Sequence, residues 1–303
     1  MLDQTWKTKK FLTHLENAEE LENLVFHHSV MCQVGLPRKS TEERVFERTN
    51  GNASLKITAG ELWEKGGWVE QPLPYGSRPR LILIYLSTKF IQNRSRIIDV
   101  GGSLREFLMA IGISPSGDNY HMIKKQLKAL VACQMQLGMT KDGYDITMNT
   151  HPIRRFEAWG KPNEANEVDW PTSLELSEDF AETLLSHAVP LTNEAIGMLK
   201  DSALELDILC WLAHRLCRIK KDKGVLVSWN NLKDQFGQEY KRMSHFKETF
   251  TTALRYALMT YKDARLSEVE EGFVLYPSRP LVSKPRTQVL LPEISRKSVK
   301  VED

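Results

Sequence analysis

Apolar and polar positions along the chain fall into one order of elements that occurs twice. In the first copy, Arg78-Pro79-Arg80 leads into Leu81 through Leu86, apolar nearly all round. A proline near the start and that apolar run predict a buried helix reaching toward Arg94. Ile97 to Val100 reads as a short strand, and Ser103-Leu104-Arg105-Glu106 has the spacing of a capping box that opens a helix to about Ile111. After a turn at Pro115 to Asn119, a third helix is predicted from about Asn119 to Gln134. A hairpin then runs from Met135 to about Asn149, with Asp142-Gly143 at its tip. The second copy gives an apolar helix from Ala203 to about Ile219, a strand at Val225 to Val227 and a short helix from Trp229 to Phe236 stopped by Gly237. A third helix from Ser244 to Tyr261 and a hairpin from Ala264 to Tyr276, turning at Glu270-Glu271-Gly272, complete it.

Helix, strand, helix, helix, hairpin is the order of a winged helix, a variant of the helix-turn-helix in which the third helix reads a major groove and the hairpin lies along the backbone. The expected fold class is therefore α+β, with two tandem winged-helix domains. Residues 25–77 carry turn signals and short alternating runs such as Ser54 to Thr58, a β-hairpin extension of the first domain. Loop-like residues 150–171, with His151-Pro152, Gly160, Lys161-Pro162 and Trp170-Pro171, suggest a boundary. The expected division is an N-terminal arm (1–24), a first domain (25–160), a second domain (161–283) and an extended tail (284–303). Leu12, Leu15, Leu21 and Leu24 in the arm suit either a dimerising helix, hence a homodimer, or packing on the arm's own domain.

Winged helices also serve as protein-docking modules, so the outward faces of the third helices matter. At helical spacing, Ile123, Leu127, Leu130 and Val131 gather on one face and His121, Lys124, Lys125 and Lys128 on the other, with no acid from Asn119 to Gln134. Solvated helices mix signs to gain i,i+4 pairs, whereas an unopposed basic face suits phosphate contact. In the second copy, Phe246, Phe250, Leu254, Ala257 and Tyr261 share a face, and Ser244, His245, Glu248, Thr251, Thr252 and Arg255 point outward. That mixed face suits base reading or plain solvent. Tyr240, Lys241 and Arg242 just before the helix, and Lys247 on it, stand where phosphates approach. Lys141 in the first hairpin and Arg154 and Arg155 beyond it complete the candidate DNA-binding set. The second hairpin, with Glu268, Glu270 and Glu271, is acidic and is expected to stand off DNA or to face a protein.

Composition narrows the class. The chain has 303 residues, 41% apolar and 26% charged, which excludes collagen-like and wholly disordered chains. It holds no run of roughly 18 uncharged apolar residues, and its first residues lack the apolar core of a signal peptide, so no membrane partner is expected. Four cysteines without CxxC spacing fit a reducing, cytoplasmic setting. The net charge of +2 is uninformative, but residues 78–160 hold 12 Lys and Arg against 6 Asp and Glu, while each flank has a small acidic excess. Such a local excess suits either a polyanion partner or a solvated basic surface.

Enzyme chemistry is not evident. His27 and His28 are adjacent, so on a strand they point to opposite faces and do not form a ligand pair. There is no GxxxxGK[ST] phosphate loop. Gly101-Gly102 reads as a turn rather than a phosphate cradle. Cys210 and Cys217 lie on one helical stripe and read as core, as do Trp211, Trp229 and Phe236. No metal, no cofactor and no catalytic residue are expected.

The segments LPYGSRPRL (from Leu73), IIDVGGSLREFLMAIGI (from Ile97), VPLTNEAIGMLKDSALELDILCWLAHRL (from Val189), WNNLKDQFG, FKETFTTALRYALMTY and FVLYPSRPLV resemble those of plasmid-encoded RepA-type replication initiators. The likeness spans roughly residues 26–282. It implies two winged-helix domains that bind double-stranded origin DNA, usually at direct repeats called iterons. It further implies recruitment of the host replication initiator and helicase, and repression of the protein's own promoter by a dimer. A transcriptional repressor without an initiator role is the alternative, and a DNA-nicking enzyme a more distant one. The acidic second hairpin departs from the pattern.

Overall fold

The computed structural model describes residues 23–64, 66–141, 143–156 and 170–282. Most of the expected arm and the whole of the tail expected at 284–303 lie outside the described residues. Five strands and one short helix precede the first repeated pattern: β1 (Leu24–His28), α1 (Ser29–Gln33), β2 (Val45–Asn50), β3 (Ala53–Thr58), β4 (Glu61–Glu64) and β5 (Gly67–Glu70). Leu24, the last residue of the expected arm, is buried in β1.

The first pattern follows as α2 (Ser77–Asn93), β6 (Ile97–Asp99), α3 (Leu104–Ala110), α4 (Gly117–Ala132), β7 (Gln134–Lys141) and β8 (Tyr144–Thr150). The serine half of the expected capping box is formed: Glu106 N–H donates to Ser103 Oγ at 3.2 Å. Glu106 Oε2 in turn accepts from Gly102 N–H at 2.9 Å, so a carboxylate sits where a cradled anion would, and Gly101 (φ 86°) makes the turn.

The strand partners differ from the simple pattern. β7 and β8 join β2 and β3 in a four-stranded antiparallel sheet of order β2-β3-β7-β8. Leu55 faces Leu137 and Ile57 faces Met135 in register, all fully buried. β3 therefore takes the edge of β7 that β6 would otherwise use. The bonding groups of β6 are satisfied elsewhere, as buried backbone requires. They pair with β10 (Ser173–Leu176), which also pairs with β9 (Ile153–Phe156). This three-stranded sheet spans position 160/161, where the sequence suggests a boundary. α5 (Glu178–His187) follows and packs on α2 and β1, and β11 (Ala188–Thr192) pairs with β1.

The second pattern begins after α6 (Asn193–Leu199). It consists of α7 (Ala203–Arg215) with a 3-10 turn at Leu216–Arg218, β12 (Val225–Ser228), α8 (Trp229–Phe236), α9 (Met243–Thr260), β13 (Leu266–Val269) and β14 (Gly272–Leu275). Here the short strand does join the hairpin, in the order β12-β14-β13. Gly272 is pressed against β12, and a Cβ there would lie 2.1 Å from Val227 O. Trp211, Trp229, Phe236, Phe246 and Phe250 form the aromatic core. Cys210 is buried as expected, but Cys217 is exposed. The helix tightens to the 3-10 turn one residue before it, so the stripe shared with Cys210 rotates outward.

A buried ion pair locks the two patterns together. Arg80 Nε and Nη2 donate to Asp207 Oδ1 and Oδ2, each at 2.7 Å. The same guanidinium donates to the carbonyls of Leu36, Pro37 and Gly76. Gly35 makes room, because a Cβ there would stand 2.5 Å from Asp207 Oδ2. Arg78 reaches Asp201 Oδ1 at 3.2 Å and Asn119 Oδ1 at 3.1 Å, and Tyr75 N–H donates to Gln126 Oε1 on α4 at 2.8 Å. The LPYGSRPRL segment is thus a clamp between α2, α4 and α7.

Candidate nucleic-acid interface

α4 is capped by Ser116, whose hydroxyl accepts from Asn119 N–H. Ile123, Leu127 and Leu130 are buried, His121 is exposed, and Lys124, Lys125 and Lys128 are half-buried. The helix itself carries no acid over this face, but the fold supplies one. Lys128 Nζ lies 2.8 Å from Glu64 Oε2 at the end of β4. The basic face expected to be unopposed is therefore neutralised at one of its three lysines. Lys125 Nζ stands 5.6 Å over the Tyr75 ring. Lys124 and His121 form no ion pair among the described residues.

The outlying basic candidates are less grouped. Arg154 and Arg155 are exposed on β9, and Arg154 Nη1 is 3.9 Å from Glu175 Oε1 across the sheet. Lys141 ends β7, and its side chain lies outside the described residues.

α9 presents its polar face beside its own hairpin. Phe246, Phe250, Ala253, Leu254 and Ala257 are buried, while Ser244, His245, Thr252 and Arg255 are exposed. Lys247, Thr251, Thr252 and Arg255 line a groove of about 400 Å³ with Trp229 and Glu248. Its other wall is the β13–β14 hairpin, contributing Glu268, Val269 and Glu270. Lys247 Nζ stands 4.9 Å over the Trp229 ring. Lys241 and Arg242 are exposed ahead of the helix, and Tyr240 packs against His245 and Phe246, with ring centroids 5.3 and 5.7 Å apart. The structure thus gathers four of the second module's candidates in one groove and the remainder at the start of the same helix. It also makes the acidic hairpin part of that groove, so a ligand there meets carboxylates as well as Arg255.

Several residues escaped the sequence reading. Arg38 donates to both carboxylate oxygens of Glu239 at 2.7 Å and to Phe236 O, tying the first unit to the segment before α9. Burial pushes the Glu239 carboxyl up, but the Arg38 bond and charge outweigh it and hold it below the usual range. No local pattern signalled this pair, whose members lie 201 positions apart. His27 and His28, read from the sequence as pointing to opposite faces of a strand, are both buried in β1. Burial lowers His27 to about 4 and His28 to about 3, with a further contribution at His28 from nearby His187. Among the described residues, no group of three His, Cys, Asp or Glu is placed to hold a metal ion. No helix among them is long and apolar enough to cross a membrane.

Comparison with known proteins places this arrangement. A crystal structure of domains 2 and 3 of RctB superposes with a TM-score of 0.52 at 12% identity, covering 81% of this chain and 95% of that one. A second crystal structure of RctB domains 2–3 aligns with a TM-score of 0.47 at 13% identity, covering 82% and 87%. The first of these shows a shared fold. No curated protein sequence matches the chain. The family described as plasmid encoded RepA protein matches residues 73–231, from the start of the clamp segment through α7 and into α8. With just over half its length matched, the chain belongs to the plasmid-encoded RepA family of replication proteins.

Proposed function

We propose that the protein initiates plasmid replication by binding double-stranded origin DNA through two winged-helix units, the second reading bases and the first gripping phosphates. The observation that carries this is the polar face of α9. It leaves Ser244, His245, Thr252 and Arg255 exposed on a helix whose opposite face is fully packed. A side chain such as Arg255 makes bidentate contacts to guanine in a major groove. His121, Lys124 and Lys125 on α4 supply sequence-independent charge, with Lys128 held back by Glu64. The origin sites are repeated iterons, the host replication initiator and helicase are recruited there, and the protein has no catalytic step of its own. It works in the cytoplasm and represses its own promoter as a dimer.

The test is a footprint of the pure protein on the DNA flanking its gene. Regular protected repeats support the initiator. A single palindrome points to a repressor alone, and metal-dependent cleavage of supercoiled DNA would point to a nicking enzyme. Either of the last two results overturns the proposal.

A further inference from the structure

A second concavity lies where the first unit meets α7. It has a volume of about 550 Å³ and shares no lining residue with the groove beside α9. One wall is the C-terminal end of α7 and the residues after it; the other is Gln33 with the β2–β3 turn, Asn50 to Asn52. Arg215, Arg218, Lys220 and Lys221 line it, and among the described residues no Asp or Glu does.

Two of the side chains that line it carry a donor with no hydrogen-bond partner among the described residues. Trp211 is 2% exposed, and its Nε1 has no hydrogen-bond partner. The Nε of Arg215 is likewise buried and unpartnered. An indole N–H and a guanidinium N–H can only donate, so the missing partner is an acceptor. A buried polar group left unpaired is costly, and native structures hold few. Burial lowers the Arg215 pKa. Burial and the charges of Arg218 and Arg215 hold His214 down to about 3, a neutral imidazole among cations. Trp211 is fixed edge-on to Phe236 with ring centroids 5.4 Å apart, so its N–H is preorganised.

We propose that this cleft binds a phosphate group. Trp211 and Arg215 donate to its oxygens, and Arg218, Lys220 and Lys221 supply the surrounding charge. The cleft opens to solvent, so a phosphate carried on a larger molecule has access to it. Two sources share this chemistry: a free nucleotide, and a phosphodiester of bound duplex DNA. The assignment stands independently of the α9 reading, since no residue is shared.

The test follows the Trp211 indole N–H by NMR in the full-length protein, its signal assigned by Trp211→Phe. Inorganic phosphate is titrated at constant ionic strength against chloride. A saturable shift specific to phosphate is expected. The double variant Arg218→Ala/Lys221→Ala changes only exposed side chains and should weaken binding by about tenfold. A shift no larger than chloride produces, or one unchanged in the double variant, overturns the proposal. Parallel titrations with ATP and with duplex DNA separate the sources. A response to ATP alone assigns a nucleotide. A response to DNA, with the salt slope of DNA binding reduced by about two in the double variant, assigns a phosphodiester. A response to neither overturns the site.

Discussion

The two third helices have the same place in the order of elements and opposite surroundings. α4 carries an all-basic outward face, but the β4–β5 hairpin brings Glu64 onto Lys128. α9 carries hydroxyls, an imidazole, an acid and an arginine, and its own hairpin closes a groove over them with Glu268 and Glu270. In both cases a hairpin sets how much positive charge remains. The contrast teaches that a helix wheel reports what a helix can offer and not what the fold leaves available. Under the proposed function, the charge remaining on α4 suits a phosphate grip, and on α9 a flanking carboxylate would penalise misplaced phosphates while Arg255 selects a base.

The strongest way to break the comparison is to release the joint that holds the two helices on one body. Asp207→Ala leaves the Arg80 guanidinium buried and unpaired, and should cost about 3–5 kcal/mol of unfolding free energy in a urea titration. Equal stability of variant and parent would show that the clamp does not couple the units.

Acid loosens the same joint. His27 in β1 lies close enough to Asp207 and Arg80 to feel both charges, and β1 pairs with β11, just ahead of the second pattern. In the unfolded chain His27 takes up a proton near pH 6.5; in the fold it does so only near 4. Between those values the unfolded state binds more protons, so stability is full above pH 6.5 and falls as pH drops toward 4. The loss is about 3 kcal/mol for His27 alone. His28, depressed further, adds to it over a window that extends to about pH 3. Denaturant midpoints measured from pH 7 to pH 4 check this, and His27→Gln should flatten the dependence.

Two smaller effects sharpen the division of labour. Arg255→Ala should lose about 1–3 kcal/mol on the specific site and little on random DNA, as read by competition binding. Equal losses on both would remove base reading from α9. Glu64→Gln should free Lys128 and steepen the salt dependence of DNA binding by about one, and Lys125→Ala should shift it by the same amount the other way. An unchanged slope in both would take α4 off the DNA.

Much of this architecture is local in origin and was legible in the residues. The apolar run of α2, the serine half of the capping box at Ser103, the opposed faces of α4 and α9 and the Gly237 stop all rest on neighbours within a few positions, where periodicity and backbone chemistry decide the outcome. The buried Trp211, Trp229 and Phe236 follow from the same patterning. What only the tertiary structure decided was which distant group met which. β6 joins β10 because β3 has already taken the edge of β7. Arg80 meets Asp207 across 127 positions and Lys128 meets Glu64 across 64. The cleft around Trp211 exists only because the β2–β3 turn faces the end of α7. The physical reason is that charge and hydrogen-bond partners act over a few ångströms of space. An isolated sequence specifies each group's capacity to pair, while the folded chain alone brings its partner within reach.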